Sequence, residues 1–428
     1  MHMPALVYRR RSVDTELDEL LPELPAIAIE GAKGVGKTAT ASQRATTIHR
    51  LDDPAERAVV AGDPGRLAAG TPTVLIDEWQ RIPESWDIVR RAVDDGAAPG
   101  TFLLTGSASP AGLRTHSGAA RIVSLRMRPL TLAERGLGPP TVSLAGLLSG
   151  TRPPVEGRTE LRLADYVEEI VASGFPGLRG LGERALRAQL DGYLARIVER
   201  DFPEAGRSVR NPVALRRWLT AYAAASSTIA SFETIRAAAT SGAGEKPAKS
   251  TTIPYRDVLE RLWILDPVPA WLPTRNRIAR LSAPPKHQLV DPALAARLLG
   301  VGKDGLLDAT PSGPPILRDG PLLGLLFESL VTLCVRVAAH AAEATVGHLR
   351  SARGEHEVDL IVERADGRVV AVEVKLTRTV DDRDVRQLAW LRNAIGDELL
   401  DALVVTTGQE AFRRADGIAV VPAALLGL

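Results

Sequence analysis

The octapeptide GAKGVGKT, residues 31–38, sets Gly31, Gly36, Lys37 and Thr38 in the spacing G-x-x-x-x-G-K-[ST]. Glycines there free the backbone amides to wrap a phosphate, with a helix N-terminus adding positive potential. Lys37 then reaches the β and γ phosphates of ATP, and the Thr38 hydroxyl holds Mg²⁺. The candidate nucleotide-binding set is Gly31, Ala32, Lys33, Gly34, Val35, Gly36, Lys37, Thr38 and Ala39. Two acids, Asp77 and Glu78, end the apolar run TVLIDE, placing Asp77 as a Mg²⁺ partner and Glu78 as the group that polarises an attacking water. A third run, TFLLTGSAS (101–109), ends in small polar residues that by themselves would make a β-turn but here carry Thr105 or Ser107 to where a side chain can sense the γ-phosphate.

A second constellation lies near the C-terminus, in EVDLIVERADGRVVAVEVKL (357–376). Val, Ile and Leu runs flank a turn, yet Asp359, Glu373 and Lys375 interrupt them. A three-residue loop, Ala365 to Gly367, pairs residues whose numbers sum to 732 and collects Val358, Leu360, Val362, Val370, Val372 and Val374 on one face. Asp359 then faces Glu373. Opposed carboxylates repel, so they need a proton, a cation or open solvent. A divalent metal, Mg²⁺ or Mn²⁺, held at Asp359 and Glu373 is one answer, with Lys375 beside an attacking water. An exposed ion pair between Glu357 and Lys375 is the other.

The elements that must position these groups are legible more coarsely. The 428 residues are 45% hydrophobic with a formal net charge of +1, so no global charge draws the chain to nucleic acid or membrane. One cysteine, Cys334, permits no internal disulfide, no apolar run approaches a membrane span, and the opening residues lack a signal-peptide core; a cytoplasmic protein is expected. Only seven of the 53 basic residues are lysine, which makes each a mild hint of a site that needs a point charge, surface chance explaining most of the seven. The first ~150 residues alternate strands and helices. Apolar spacing in DYVEEIVASG, RALRAQLDGYLARIVERDF and VALRRWLTAYAAAS predicts amphipathic helices, the first of them a lid over the nucleotide. Residues 212–275 read as a winged helix, with TIASFETIRAAA and TIPYRDVLERLWIL as its second and third helices. Basic clusters at Arg207, Arg210, Arg216 and Arg217, and at Arg275, Arg277, Arg280 and Lys286, are compatible with phosphate contacts or with a solvated face.

The blocks GAKGVGKT, IHRLDDPAERAVVAGDP, VLIDEWQRIP, FLLTGSAS and HSGAARIVSLRMRPLTLAE resemble those of a prokaryotic AAA-type ATPase family with a C-terminal domain of unknown function. The resemblance implies a γ-phosphate-contacting arginine at Arg121, within Ser117, Ala119 and Arg121; Ala120 replaces the usual glycine and Arg128 the usual aromatic before Pro129. The spacing D-x13-E-x-K resembles the PD-(D/E)xK restriction-endonuclease-like core. That resemblance implies Glu328 as a further acid and a functional glutamine at Gln387, with Val358 where a proline usually precedes the first acid. The expected fold class is α/β: a P-loop AAA-type ATPase domain (1–150), a helical lid and winged-helix-like middle (151–319), and a restriction-endonuclease-like domain (320–428). Three functions stay open: a DNA-associated ATPase, a metal-dependent nuclease gated by ATP, and an ATP-switched module binding a protein partner, any of them as a homo-oligomer.

Overall fold

The computed structural model describes residues 8–107, 119–205, 211–240, 246–274, 277–307, 320–351 and 354–428. Five parallel strands, β1 (Ala26–Glu30), β2 (Thr47–Arg50), β3 (Val74–Asp77), β4 (Phe102–Gly106) and β5 (Val123–Arg126), form a sheet of order β2-β3-β4-β1-β5. β1, β3 and β4 are buried on both faces, which is why they read as continuous apolar runs. Alternate residues sort by face. Ala26, Ala28, Val74, Ile76, Phe102 and Leu104 pack with Val60, Trp86 and Val89 of the helices Pro54–Gly62 and Glu84–Asp94. Ile27, Ile29, Leu75, Leu103 and Leu125 enter the large core shared with the rest of the chain.

The middle of the chain is helical, as expected: Leu163–Val171, Glu183–Arg196, Pro212–Ala224, Phe232–Ala238 and Lys249–Arg261, with a π-helical turn at Ile197–Asp201. Isolated bridges Leu265–Leu289 and Val268–Lys286 then make a short ribbon, and Ala270 bridges to His348.

In the C-terminal part the helix Gly320–Ala341 leads into seven strands. Two short strands, β6 (Val142–Ser143) and β7 (Gly157–Arg158), precede it in sequence. The rest are β8 (Thr345–Arg350), β9 (Glu357–Glu363), β10 (Val369–Lys375), β11 (Leu399–Thr406), β12 (Glu410–Arg413), β13 (Ala419–Pro422) and β14 (Leu426–Gly427). The main sheet runs β7-β12-β13-β11-β10-β9-β8, and β14 pairs with β6. β8, β9 and β10 are successively antiparallel; β11 joins β10 in parallel, with the helix Arg386–Ile395 between them. The β9–β10 register pairs Val370 with Val362 and Val372 with Leu360, the sum of 732 that face burial selects. Gly367, at φ 87°, closes the turn by donating its N–H to Arg364 O.

Two expectations change. Residue 150 does not divide the fold, because β6 and β7 on either side of it both pair with C-terminal strands. The stretch Leu322–Ala341 is long and apolar enough to cross a membrane, but it is mostly buried inside the protein, as a core helix is.

Candidate functional site

The C-terminal ends of β1, β3 and β4 bring the predicted phosphate-binding residues together, as the edge of an open parallel sheet does. The loop after β1 needs its glycines. A Cβ on Gly31 would lie 2.2 Å from the Met127 carbonyl oxygen, and Gly36, at φ 106°, turns the chain into the helix Lys37–Ser42. That helix has only six residues, so loop amides rather than a long helix dipole supply the positive potential. Arg11, which the sequence did not single out, braces the loop: its guanidinium donates to Val35 O (2.9 Å) and Arg128 O (2.8 Å) and pairs with Glu134.

Lys37 is 5% exposed and donates to Gly31 O (2.9 Å) and Ala32 O (3.0 Å). Burial pushes its pKa down to about 8 against the opposing pull of Glu78 and Asp77. Thr38 Oγ1 donates to Asp77 Oδ1 at 2.7 Å, and the Thr105 hydroxyl donates to the same oxygen. Burial raises the Asp77 pKa while both hydroxyls lower it. Glu78 sits in the left-handed region (φ 57°, ψ 46°), a strained geometry for a side chain that is aimed rather than packed. Both of its oxygens are engaged, by Ser107 Oγ at 2.8 Å and Gln80 Nε2 at 2.6 Å. Ser107 therefore touches Glu78, and Thr105 touches Asp77.

The loop is also tied to the helical middle. Lys33 Nζ lies 2.5 Å from Asp201 Oδ1 and 3.5 Å from Glu204 Oε2, and Tyr193 OH donates to Lys33 O (3.1 Å). Asp201 ends the π-helical turn, a helix irregularity that is frequent at functional sites. A cavity of about 440 Å³ on this side is lined by Lys33, Gly34, Arg81, Arg196 and Arg200, among others. A second, of about 600 Å³, opens beside Gly36, Ala39 and Thr40 and is lined by Tyr8, Arg11 and Arg179.

Arg121 is not brought to this site. It lies just before the N-terminal end of β5, which runs parallel to β1, and so at the sheet edge opposite the phosphate loop; it pairs with Asp94 at 2.8 Å. A γ-phosphate contact within the same chain is excluded by that strand direction. Ser117, from the same block, lies outside the described residues.

At the C-terminal constellation, Glu328 and Asp359 do converge, with Glu373 beside Asp359, but the cation between Glu328 and Asp359 is a lysine. Lys286 Nζ, 1% exposed, lies 2.8 Å from Glu328 Oε1, 3.2 Å from Asp359 Oδ1 and 3.9 Å from Glu357 Oε1. Lys375 donates to Glu373 Oε1 at 2.6 Å, and Glu357 pairs with Arg350, so the Glu357–Lys375 pair does not form. The expected metal at Asp359 and Glu373 is thus corrected. No three or more His, Cys, Asp or Glu side chains among the described residues are arranged to hold a metal ion. One ammonium cannot neutralise every carboxylate around it, and burial beside Asp359 pushes Glu328 up to about 8 and raises Glu373 as well. Gln387 Oε1 accepts from His356 Nδ1 (3.0 Å), and His356 stacks on Trp390. Of the basic clusters, Arg280 is bound to Glu363 and Lys286 is buried, so neither is free for phosphate; Arg207, Arg210 and Arg275 lie outside the described residues. Scarcity had marked Lys286 as one of seven lysines, but nothing local tied it to acids 42 and 73 residues away.

Residues 23–135 match the family model described as an AAA domain. That match spans the loop 31–38, Asp77 and Glu78. Two further models, each described as a domain of unknown function, match residues 163–305 and 323–426. An uncharacterized protein of Mycobacterium bovis and one of Mycobacterium tuberculosis are each 25% identical over 425 residues, covering 98% of this chain and 84% of the relative. A Walker-type ATPase of Pyrococcus abyssi is similar at 15% identity and a TM-score of 0.39, covering 68% of this chain and 96% of the other.

Proposed function

We propose that this chain binds and hydrolyses ATP at residues 31–39, with Lys37, Thr38, Asp77 and Glu78 as the working groups. The observation that carries this reading is the contact of Thr38 and Thr105 with one oxygen of Asp77, beside a buried Lys37 whose only described partners are loop carbonyls.

Hydroxyl and carboxylate oxygens suit Mg²⁺, and Thr38 with Asp77 would hold it. Bound there, Mg²⁺ supplies charge neutralisation on the β and γ phosphates. Lys37 exchanges its two carbonyl partners for phosphate oxygens, which offsets the cost of leaving them. Glu78 orients the attacking water and takes its proton, which requires that it release Ser107 or Gln80 first. The cavity beside Gly36, Ala39 and Thr40 offers room for base and ribose, and the one beside Lys33 and Gly34 faces the γ-phosphate end.

For the remainder, the helices 212–261 and the ribbon after them support a winged-helix-like reading, and the order helix, three antiparallel strands, helix, parallel strand supports a nuclease-like C-terminal fold. DNA association remains part of the proposal. The consumption of Arg280 and Lys286 by internal acids favours an ATP-switched interaction module over a nuclease. The test is nucleotide binding and steady-state ATPase of wild type and Lys37→Ala, with and without single- and double-stranded DNA. Wild-type affinity and turnover in Lys37→Ala would defeat the ATPase reading. Stimulation by one polymer would identify the partner.

A further inference from the structure

The acidic face of the C-terminal sheet is closed by a different part of the chain. Lys286 stands on the ribbon of residues 264–271 and 285–290, where Val268 and Lys286 exchange both backbone hydrogen bonds at 2.9 Å. The ribbon is itself fastened to β8. Trp271 N–H donates to His348 O (2.6 Å), His348 N–H donates to Pro269 O (3.0 Å), and a Cβ on Gly347 would meet Trp271 Cβ at 2.8 Å. With its backbone held on both sides and its ammonium 1% exposed, Lys286 cannot turn out to solvent while the ribbon is docked.

The ammonium sits where a cation would be wanted. Glu328 comes from the helix Gly320–Ala341 and Asp359 and Glu357 from β9, all within 3.9 Å of Lys286 Nζ, while Glu373, from β10, stands beside Asp359 and is bound by Lys375. Asp359 is held in place by the Val374 N–H, which donates to its second oxygen at 2.9 Å. Glu373 is 6% exposed, and its Oε2 is buried with no hydrogen-bond partner among the described residues. A buried carboxylate oxygen without a donor is a position that tolerates a cation. A divalent ion needs oxygen ligands at about 2.0–2.6 Å, and an ammonium already 2.8 Å and 3.2 Å from the two key oxygens excludes it by volume and by charge.

We propose that Lys286 is a built-in counter-cation that closes this acidic cluster to divalent metal. The intact chain keeps the C-terminal sheet metal-free and non-cleaving, and loss of the lysine side chain turns the cluster into a divalent-cation site. This goes beyond the nucleotide reading and does not depend on it, since none of these groups touches the phosphate loop.

The experiment is a titration of the full chain, without nucleotide, with Mn²⁺ followed by electron paramagnetic resonance of the free ion. Wild type, Lys286→Met and Lys286→Ala are each compared with the same protein carrying Asp359→Asn, which assigns any bound ion to this cluster. Wild type is expected to show no Asp359-dependent Mn²⁺. The Lys286 variants, checked for native circular dichroism, are expected to gain about one Asp359-dependent ion per chain, roughly tenfold or more tighter than any wild-type binding. Asp359-dependent Mn²⁺ in wild type overturns the proposal, and so does a folded Lys286 variant that gains none. Should both variants misfold, the wild-type comparison alone decides.

Discussion

Glu328 is the place to test whether burial or the neighbouring lysine governs the acidic cluster. Its pKa rises from the ordinary 4.5 to about 8, with burial as the largest cause, Asp359 next, and Lys286 pulling the other way. The sign follows from proton counting. Below pH 4.5 the carboxyl is protonated in folded and unfolded chains alike, and nothing is lost. Above 4.5 the unfolded chain releases the proton while the folded one keeps it, so stability falls as pH rises and levels off only above about 8. The slope is about 1.4 kcal/mol per pH unit for one such group, and roughly 5 kcal/mol over the whole span as an upper bound. Between pH 6 and 8 that amounts to about 2.3 kcal/mol, because the slope flattens as the folded pKa is reached, or about 5 °C in melting temperature at ~2 °C per kcal/mol. Glu328→Gln removes this titration and keeps the side chain's shape. Thermal melts of both proteins across pH 6–8 should therefore diverge, wild type falling by about 5 °C more than the variant. The buried histidines His287 and His348 titrate in both proteins and cancel in the difference. Parallel melting profiles would show that Lys286 keeps Glu328 ionised, and the reasoning from burial would fail.

Glu78→Gln should leave ATP affinity unchanged while lowering turnover by about 10²–10⁴-fold, read by a nucleotide-binding titration beside steady-state phosphate release; turnover near wild type would remove Glu78 from the chemistry. Asp201→Asn breaks the ion pair with Lys33, whose side chains are 11% and 35% exposed, and should cost about 1 kcal/mol in the nucleotide-free protein. A double-mutant cycle with Lys33→Ala measures that coupling by thermal melting, and a coupling near zero would mean the contact holds nothing.

What could be read in the sequence was local. The turn at 31–36 and the helix after it were legible because glycine, lysine and threonine fall at fixed spacing within eight residues. The β9–β10 register was legible because only one pairing gives a clean apolar face, and it is the one found. Lys286 was not, because its partners are supplied by a helix and a strand remote in sequence and its own ribbon is only isolated bridges. β6 and β7 were illegible for a related reason: two-residue strands have no period to detect, so the chain's return to the C-terminal sheet near residue 150 left no trace. Arg121 was misplaced because the direction of β5 decides which sheet edge it occupies, and that direction is a tertiary fact.

The distribution of buried charge says which joint of this chain can move. Asp266, fully buried and held far below the usual carboxylate range by Arg128, Arg336 and Arg126, binds them at 2.7, 3.1 and 3.4 Å. Arg126 ends β5, Arg128 follows it and accepts Arg11 on its carbonyl, and Arg336 belongs to the helix that carries Glu328. The end of β5, the ribbon and the C-terminal helix thus share one charge cluster, across the borders of all three family matches. Separating any member leaves an uncompensated buried charge, at roughly 3–5 kcal/mol. The Lys33–Asp201 contact is partly exposed and costs about 1 kcal/mol to break. A displacement of the loop 31–38 would follow the cheaper path: the loop parting from the turn at Ile197–Asp201, with the Asp266 cluster holding the C-terminal helix, the ribbon and β5 as one body.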